Sequence, residues 1–452
     1  MRKKDQKQMP LMDVNIDHPR AAELKRISQI LDKHPTINDM VLQDLTHGVK
    51  NRNTGAEGMS AEQVVRATFV KQWEGCSYED LSFHIVDSRS YRNFCRIGMA
   101  DKGFKKSALC KNIKALSAQT WESINRILVA YGQQRKIEKG RQSRMDCTVV
   151  SSNIHDPYDS ELLWDSVRVL TRMLNQTKEK FAGFKVPFTD HTRRAKRRML
   201  GVMNAKNEKE RNKRYKDLLK ITHKTVNYAK GAAAFLDSNY VADLLAYGIC
   251  EKFKEMIELT ERVIDQTERR IVHGESVPAS EKIVSIFEPH TDIIVKDRRD
   301  TLFGHKVCLN IGQSNLITDC LITEGNPKDS NLTIAMLDRH KLIYGHYPLK
   351  VAFDGGFASK DNLKLAKGRG VKDVCFSKKC GLEVEDMCRS EYVYKRLRRF
   401  RAGVESGISW VKRCFGFAKC TWKSLRSFKS YVWASIVSAN LVTLARAEIS
   451  RT

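Results

Sequence analysis

The spacing of apolar residues predicts a helical beginning for the chain. Apolar positions recur at helical intervals over about 20–45, within a helical N-terminal segment and linker that we place at residues 1–55. Ser60-Ala-Glu-Gln63 then has the sequence of a capping box, which predicts a helix over 61–73. Gly75 follows, and glycine is the residue that most often ends a helix.

Short helices separated by tight turns are predicted for the next segment, residues 56–138. Ser77 is predicted to cap a helix that reaches His84, another short helix covers about 90–96, and a longer helix covers about 107–134. Three short helices with tight turns are typical of a helix-turn-helix DNA-binding module. The alternative interpretation is a small helical bundle that makes dimer contacts.

The middle of the chain is predicted to be a basic helical insertion at residues 157–284. It follows a short β-rich run, Met145-Asp-Cys-Thr-Val-Val150. From Asp159 to about Gly274 the apolar spacing is helical, and the proline at position 278 marks the way out of this region.

This insertion contains a stretch of strongly one-signed charge. Between His191 and Lys230 there are 14 Lys or Arg against three Asp or Glu. A charge run can be a solvated helix face, but one sign of charge equally indicates contact with the DNA backbone. The candidate DNA-binding residues in this run are Arg193, Arg194, Arg197 and Arg198.

The alternation typical of strands returns in the last third of the chain. His305–Ile311 and Leu316–Thr323 predict a hairpin. The elements predicted after it are a helix over 331–342, a strand over 349–354, a helix over 360–366, a strand over 373–376 and a helical region over 391–446. With the early β-rich run, and without the insertion, this is the order of elements in a ribonuclease H-like core. We therefore expect an α/β fold: a ribonuclease H-like catalytic core at 139–156 and 285–452, interrupted by the large helical insertion and preceded by the all-α helix-turn-helix-like region.

The composition of the chain indicates what kind of partner it binds. The chain has 452 residues, enough for two to four domains, and 41% of them are hydrophobic, so it can bury a sizeable core. Eighty Lys and Arg stand against 53 Asp and Glu, a formal net charge of +27. An excess of this size predicts binding to a polyanion, because each neutralised phosphate releases counterions.

We do not expect a membrane partner. The most apolar stretch, Tyr431–Ala445, is interrupted by polar residues and is shorter than the roughly 20 apolar residues of a membrane span. The N-terminal residues Met1–Lys7 are not followed by an apolar run, which argues against a signal peptide.

The 12 cysteines have scattered spacings without a C-x-x-C pair. Cys375, Cys380 and Cys388 come closest to a cluster, but their spacing matches no zinc pattern. We interpret all 12 as reduced thiols in a reducing cytoplasm.

Three acids are candidates for a site of metal-dependent phosphoryl transfer. This chemistry uses two ions about 3.5–4 Å apart, held by carboxylates from several elements. Asp146 lies in the β-rich run, and Asp354 ends a predicted strand before Gly355-Gly356, which leaves room for a DNA backbone. The alternative interpretation of Asp354-Gly-Gly is an ordinary turn after a strand.

Glu405 is the third acid, and its isolation makes it informative. It is the only Asp or Glu between Tyr392 and Ala447, a stretch that contains 12 Lys or Arg. It could form a surface salt bridge with Arg401, four residues earlier, but such a pair contributes only a few tenths of a kcal/mol. Arg401, Glu405 and Lys412 share a helix face, so that face presents a metal ligand between two cations suited to phosphate.

This set of residues resembles the catalytic signature of DDE transposases from bacterial insertion sequences. Arg401, Glu405 and Lys412 are similar to the R, E and K of their Y-x2-R-x3-E-x6-K motif, but the Tyr position is Arg398 here. The segments that resemble the ISNCY-like group are Asn153-Ile-His155, Ser160-Glu-Leu-Leu-Trp-Asp165, Gly304-His-Lys-Val307, Glu324-Gly-Asn-Pro327 and Asp354-Gly-Gly-Phe357. The resemblance covers about 60–446, and it places the insertion before the hairpin.

The resemblance implies a transposase of a mobile element, an enzyme of DNA transposition and recombination. It also implies a location in the bacterial cytoplasm, in association with the nucleoid. Such an enzyme binds the terminal inverted repeats of its own element, cleaves the strands and joins the 3′-OH ends to target DNA. Asp146, Asp354 and Glu405 would hold two Mg²⁺ ions, for which Mn²⁺ can substitute. Arg401 and Lys412 would hold phosphates, and a homodimer would form the synaptic complex. His155 and Trp164 are secondary candidates, each with a structural role as the alternative.

Two other functions fit the same sequence. One is a transposase-derived DNA-binding protein that does not cleave DNA. The other is a ribonuclease H-like nuclease of DNA repair. The three intact acids argue against the first. The helix-turn-helix-like region and the basic insertion favour recognition of specific DNA ends over the second.

Overall fold

The computed structural model describes residues 2–5, 16–51, 54, 57–98, 100–296 and 300–451. The predicted limit between the N-terminal segment (1–55) and the helix-turn-helix-like region (56–138) therefore falls outside the described residues. Helices predominate, and the strands form a mixed sheet.

The helices and strands have the following limits. The helices are α1 (Pro19–Asp32), α2 (Thr36–Thr46), α3 (Ala61–Glu74), α4 (Tyr78–Asp87), α5 (Arg89–Phe94), α6 (Lys106–Ala115), α7 (Ala118–Gln134), α8 (Asp159–Lys180), α9 (Thr192–Met203), α10 (Glu208–Asn239), α11 (Leu244–Ile271), α12 (Thr333–Tyr344), α13 (Lys360–Gly368), α14 (Val384–Met387), α15 (Glu391–Cys414) and α16 (Leu425–Ile449). The strands are β1 (Gln142–Ser151), β2 (Asp292–Lys296), β3 (Asp300–Gly312), β4 (Ile317–Ile322), β5 (Lys350–Phe353) and β6 (Asp373–Phe376). Short 3-10 turns cover Asp329–Leu332 and Gly355–Phe357.

The chain divides into two compact units. The sheet unit combines Met1–Ser151 with His305–Thr452, and the helical unit is Ser152–Gly304. Strand β3 begins in the helical unit, where its first residues pair with β2 in antiparallel fashion, and ends in the sheet unit.

The sheet unit is organised around β1. In the sheet, β1 lies between β3 and β5, β6 lies beyond β5, and β4 pairs with β3. Strands β1 and β5 are parallel, as are β5 and β6, whereas β3 and β4 form the antiparallel hairpin predicted from the sequence. The carboxyl ends of β1, β5 and β6 therefore point the same way, and groups that follow β5 and β6 come together there.

Local signals in the first 100 residues are confirmed. Ser60 and Gln63 form a reciprocal capping box, with Ser60 Oγ accepting from the Gln63 N–H at 3.2 Å. Gly75 adopts a left-handed conformation (φ 62°) directly after α3. Ser77 caps α4 in a second capping box with Asp80.

One long predicted helix is wrong, because it is a pair of helices, and the predicted helical region over 391–446 also consists of two helices. The helix over 107–134 is interrupted at Leu116, since Ser117 accepts from the Thr120 N–H and starts α7 anew. The helical region over 391–446 is interrupted between α15 and α16. There Gly416 is left-handed, and a Cβ at this position would lie too close to the Tyr431 hydroxyl. Strand β2 and helix α14 were not predicted.

Helix α16 is the central helix of the sheet unit. Its residues Val432–Ala445 are almost all buried, and it packs against α1, α3, α7 and β4. Among the described residues it is the one helix long and apolar enough to cross a membrane, but 78% of the relevant window is buried inside the protein. That is weak evidence for a membrane span, because the core helix of a globular unit has the same composition.

The helical unit has its own core, formed by α8, α9, α10 and α11. Each of these helices buries an apolar stripe, with Leu163, Met199, Leu218 and Phe253 as representatives. The hydrophobic cores of the sheet unit contain none of these residues. The charged faces of these four helices are therefore left at the surface of the unit.

A buried amide network joins α16 to the sheet and tests this packing. Asn440 accepts from the Ile317 N–H at 2.9 Å and donates to the Ile317 carbonyl and to Asn125 Oδ1, both at 2.7 Å. We expect Asn440→Ala to lower the free energy of unfolding by about 2–4 kcal/mol, because it leaves buried polar groups without partners.

The measurement is urea unfolding followed by tryptophan fluorescence. Five of the six tryptophans lie in the sheet unit, and Trp164 is the exception, so the signal reports mainly on that unit. Ser438→Ala is the control, because the buried Ser438 hydroxyl donates within its own helix to the Ala434 carbonyl. An Asn440→Ala variant no less stable than Ser438→Ala would contradict the role of the network.

Candidate active site

The register of two parallel strands brings Asp146 and Asp354 side by side. Met145 of β1 pairs with Phe353 of β5, so the next residue on each strand is an aspartate. Met145 and Phe353 are both fully buried in the apolar core on one face of the sheet. Because successive side chains alternate between faces, both carboxylates point to the opposite face.

Asp354 is held as a carboxylate by donors on three sides. Ser377, directly after β6, donates its hydroxyl to Asp354 Oδ1 at 2.8 Å. Burial alone would raise the pKa of Asp354, but the Gly355 N–H, the Ser377 hydroxyl and the charges of Arg401 and Lys378 together lower it below its ordinary value. Asp354 is therefore ionised at neutral pH.

The two glycines after Asp354 have a packing role. A Cβ on Gly355 would lie 2.8 Å from the Lys378 side chain, and a Cβ on Gly356 would lie 3.0 Å from Asp329 Oδ2. The absence of side chains here lets Lys378 and Asp329 approach the turn that carries Asp354.

Arg144 fixes α15 against β1. Arg144 lies two residues before Asp146 on the same face of β1 and is 4% exposed. Its guanidinium donates to the Phe400 carbonyl in α15 at 2.8 Å, lies over the Phe400 ring and also donates to Asn315 Oδ1. Burial lowers the pKa of Arg144 from its ordinary value. This buried cation anchors the turn of α15 that precedes Arg401.

Arg401 connects all three candidate acids. Its Nη2 lies 3.1 Å from Asp146 Oδ2 and 2.9 Å from Asp354 Oδ1, and its Nη1 lies 3.0 Å from Glu405 Oε1. The two aspartate oxygens thus share one nitrogen as their neighbour. Acids that are 51 to 259 positions apart in the chain meet at one guanidinium.

Glu405 and Lys412 complete the face of α15 that the sequence predicted. The Glu405 side chain is 71% exposed, in contrast to the 12% exposure of Asp146. Lys412 lies two helical turns later and is partly exposed. Within the described residues, no three His, Cys, Asp or Glu side chains are close enough together to hold a metal ion as they stand. The side chain that lies among the acids is Arg401.

The other candidate residues lie in the helical unit. On α9, Arg194 and Arg198 both pair with Asp217 of α10, whereas Arg193 and Arg197 are exposed. The acids and the four arginines thus belong to different units. His155 contacts Glu161 and Asp165. Trp164 lies beneath Arg168 and Lys196.

Three residues of the site were missed from the sequence: Arg144, Ser377 and Lys378. A signal for Ser377 and Lys378 existed, because they follow the predicted strand Asp373–Phe376, and ligand-binding groups collect at the carboxyl ends of parallel strands. Arg144 had no such signal, since its partners in α15 and the hairpin are distant in sequence.

Two known families match parts of the chain. Residues 258–441 match the family described as "Transposase DDE domain". The protein is a DDE-type transposase, an enzyme. Residues 13–115 of the transposase match a second family, described as "Transposase domain (DUF772)", and both families support an insertion-sequence transposase.

The matched ranges contain only part of the candidate site. Asp354, Arg401, Glu405 and Lys412 lie within 258–441, whereas Asp146 lies in the stretch between the two matches. No curated protein and no solved structure matches the transposase. The assignment of Asp146 therefore rests on its register with Asp354 and on its contact with Arg401.

The close packing of α15 on Arg144 gives a stability test. A Cβ on Gly403 would lie 2.5 Å from Arg144 Nη1, whose hydrogen bonds leave it little room to move. We expect Gly403→Ala to lower the free energy of unfolding by about 1–3 kcal/mol through this overlap.

Gly407, one turn later on α15, is the matched control. A Cβ there meets only Ile311 Cδ1, at 3.9 Å, so Gly407→Ala is expected to stabilise by up to about 1 kcal/mol through helix propensity. Thermal unfolding of both variants decides the matter. If Gly403→Ala were as stable as Gly407→Ala, Arg144 would not be fixed as described.

Proposed function

We propose that this transposase cuts the ends of its own mobile element and joins the exposed 3′-OH groups to target DNA at Asp146, Asp354 and Glu405. The observation that carries the proposal is the shared contact of all three acids with Arg401. Carboxylates from a strand interior, a strand end and a helix meet there, as metal-dependent phosphoryl transfer requires.

We assign the sheet to a ribonuclease H-like core. The support is its order, β4-β3-β1-β5-β6, with an antiparallel hairpin on one side of β1 and parallel strands on the other. On this assignment the helical region at 157–284 is an insertion between β1 and the hairpin. The R, E and K positions of the insertion-sequence motif are then Arg401, Glu405 and Lys412, in an ISNCY-like member of the family.

The chemistry of the three acids suits a pair of divalent cations. DDE transposases use such ions, and Asp146, Asp354 and Glu405 offer the oxygen ligands that Mg²⁺ or Mn²⁺ takes. Bound there, two ions would activate a water and neutralise charge on the phosphate. Ser377 and the Gly355 N–H keep Asp354 ionised, and Arg144 holds the helix that carries Glu405.

Arg401 has two alternative partners in this scheme. Without ions, its positive charge offsets the repulsion among the three carboxylates. With ions present, the acids no longer need it, and the guanidinium can bind a phosphate next to the scissile bond in bidentate fashion. Lys412, on the same helix face, would bind a neighbouring phosphate.

The N-terminal helices are our candidates for reading the terminal inverted repeats as a homodimer binds them. Helix α4 exposes Glu79, Asp80 and Asp87, which repel phosphate. On α6, Lys111 is exposed, as is Lys106, which pairs with Glu79 at 2.8 Å, so we assign DNA contact in the 56–138 region to α6. Arg193 and Arg197 on α9 are further candidates for contact with the DNA backbone.

The first test replaces the acids one at a time. Asp146→Asn, Asp354→Asn and Glu405→Gln keep the side-chain shape and remove the charge that binds a cation. We expect each to lower strand cleavage in Mg²⁺ at least about 100-fold, since even residues that only support metal ligands contribute 10–100-fold. DNA binding, measured by gel shift, should change little.

Glu391→Gln is the matched control for this series. Glu391 is an exposed acid at the start of α15 that pairs with Lys395, and its loss should leave cleavage unchanged. A single-acid variant that cleaved as well as this control would remove that acid from the site.

The second test measures metal affinity without DNA. Arg401→Met removes the cation that competes for the aspartate oxygens, and we expect Mn²⁺ to bind about tenfold more tightly, equivalent to about 1.4 kcal/mol. Titration calorimetry on the full-length protein gives the affinity. Arg396→Met, an exposed arginine nearer the start of α15, is the control and should not change it. Unchanged or weaker Mn²⁺ binding by Arg401→Met would overturn the competition.

A further inference from the structure

The helical unit carries a row of lysines on α10. Lys209, Lys213, Lys216, Lys220 and Lys224 are all exposed, and their spacing of four, three, four and four residues places them on one helix face. Among the described residues, none of the five forms an ion pair. We call this set the lysine row.

The acids near the lysine row are already paired with arginines. Glu208 pairs with Arg211 at 3.8 Å, and Glu210 pairs with Arg214 at 3.4 Å. These pairs lie on the two sides of the row and do not neutralise the positive charge of the lysines between them.

Asp217 likewise pairs with arginines and not with the lysines of the row. Arg194 Nη2 lies 2.6 Å from Asp217 Oδ1, and Arg198 contacts the other oxygen. Burial alone would raise the pKa of Asp217, but the two arginines lower it below its ordinary value. Arg194 and Arg198 therefore join α9 to α10 and neutralise the acid that would otherwise face the lysine row.

A groove lies along the middle of the row. It has a volume of about 450 Å³ and is lined by Lys216, Lys220, Lys224, His223, Asn227 and Glu268. Glu268 of α11 is the acid that faces the groove, and it contacts His223 Nε2 at 3.0 Å. The three lysines of the groove outnumber this one acid.

We propose that the lysine row on α10 binds the sugar–phosphate backbone of duplex DNA without reading its sequence. The row covers 16 residues, from Lys209 to Lys224, or about 22 Å of helix, which corresponds to roughly six steps along a DNA strand. The inference rests on the proposed function, in which DNA is the substrate, and it adds a surface of the helical unit that binds the DNA backbone.

The chemistry of the row favours duplex DNA over other polyanions. Proteins that bind single strands stack bases mainly on Phe, Tyr and Trp, and the row and the lining of the groove contain none of these three residues. Membrane-surface helices insert an apolar face, but the apolar face of α10 is packed against α8, α9 and α11. A row of lysines beside a groove without Phe, Tyr or Trp suits a charged, sequence-independent backbone contact.

The test compares two full-length variants that lose the same charge from the same unit. One carries Lys213→Gln, Lys216→Gln, Lys220→Gln and Lys224→Gln. The control carries Lys178→Gln, Lys180→Gln, Lys252→Gln and Lys254→Gln, which are exposed lysines of α8 and α11. Gln and Lys have similar helix propensities, so both should fold, and circular dichroism checks this.

Binding to a labelled 30-base-pair duplex is measured by fluorescence anisotropy over a series of salt concentrations. Each lost phosphate contact lowers the salt slope by about 0.9, so the row variant should lose about 3 to 4 and the control less than about 1. The loss should be equal on two duplexes of unrelated sequence. Replacing Arg193 and Arg197 by Gln in a third variant tests α9 separately.

The outcomes separate this inference from the proposed function. A wild-type protein without salt-dependent duplex binding would overturn the proposed function itself. If wild type binds and the row variant keeps the slope of the control, the lysine row does not contact DNA. A loss confined to single-stranded DNA, or to one duplex sequence, would also overturn the inference.

Discussion

The parallel pairing of β1 with β5 is the constraint on which the rest of the site depends. A slip of one residue would turn one aspartate into the apolar core, where Met145 and Phe353 now lie. Burial of those two side chains therefore sets the register, and the register sets the carboxylates. Arg144, on the same face of β1, extends this control to α15 and so to Arg401.

Helix and strand limits could be predicted from the sequence where the residues that set them are close together in the chain. Capping residues such as Ser60 and Ser77 act within one turn, and the strand Asp373–Phe376 had the predicted limits. The predicted helices failed where tertiary contacts end them. Ser117 starts a new helix partly because its N–H donates to Asp44, a residue far away in sequence.

The site divides in the same way. Glu405 could be singled out because it is the one acid in a strongly basic stretch, and Asp354 because it ends a predicted strand. Their meeting at Arg401 could not be derived, since helical spacing relates Arg401 to Glu405 but not to Asp146. Arg144 was equally hidden, because a buried cation is recognised by its partners and not by its neighbours in sequence.

Charge finally links the acids to the substrate. Three carboxylates repel a phosphate backbone, and the net charge of +27 acts on DNA at a distance without relieving that local repulsion. Arg401 can serve either the acids or a phosphate, so in the proposed mechanism cation binding at the acids and phosphate binding at Arg401 favour each other. Linkage makes this reciprocal: DNA that draws Arg401 away must raise the affinity of the acids for the metal by the same factor. A site built in this way is loaded most fully when its substrate is present.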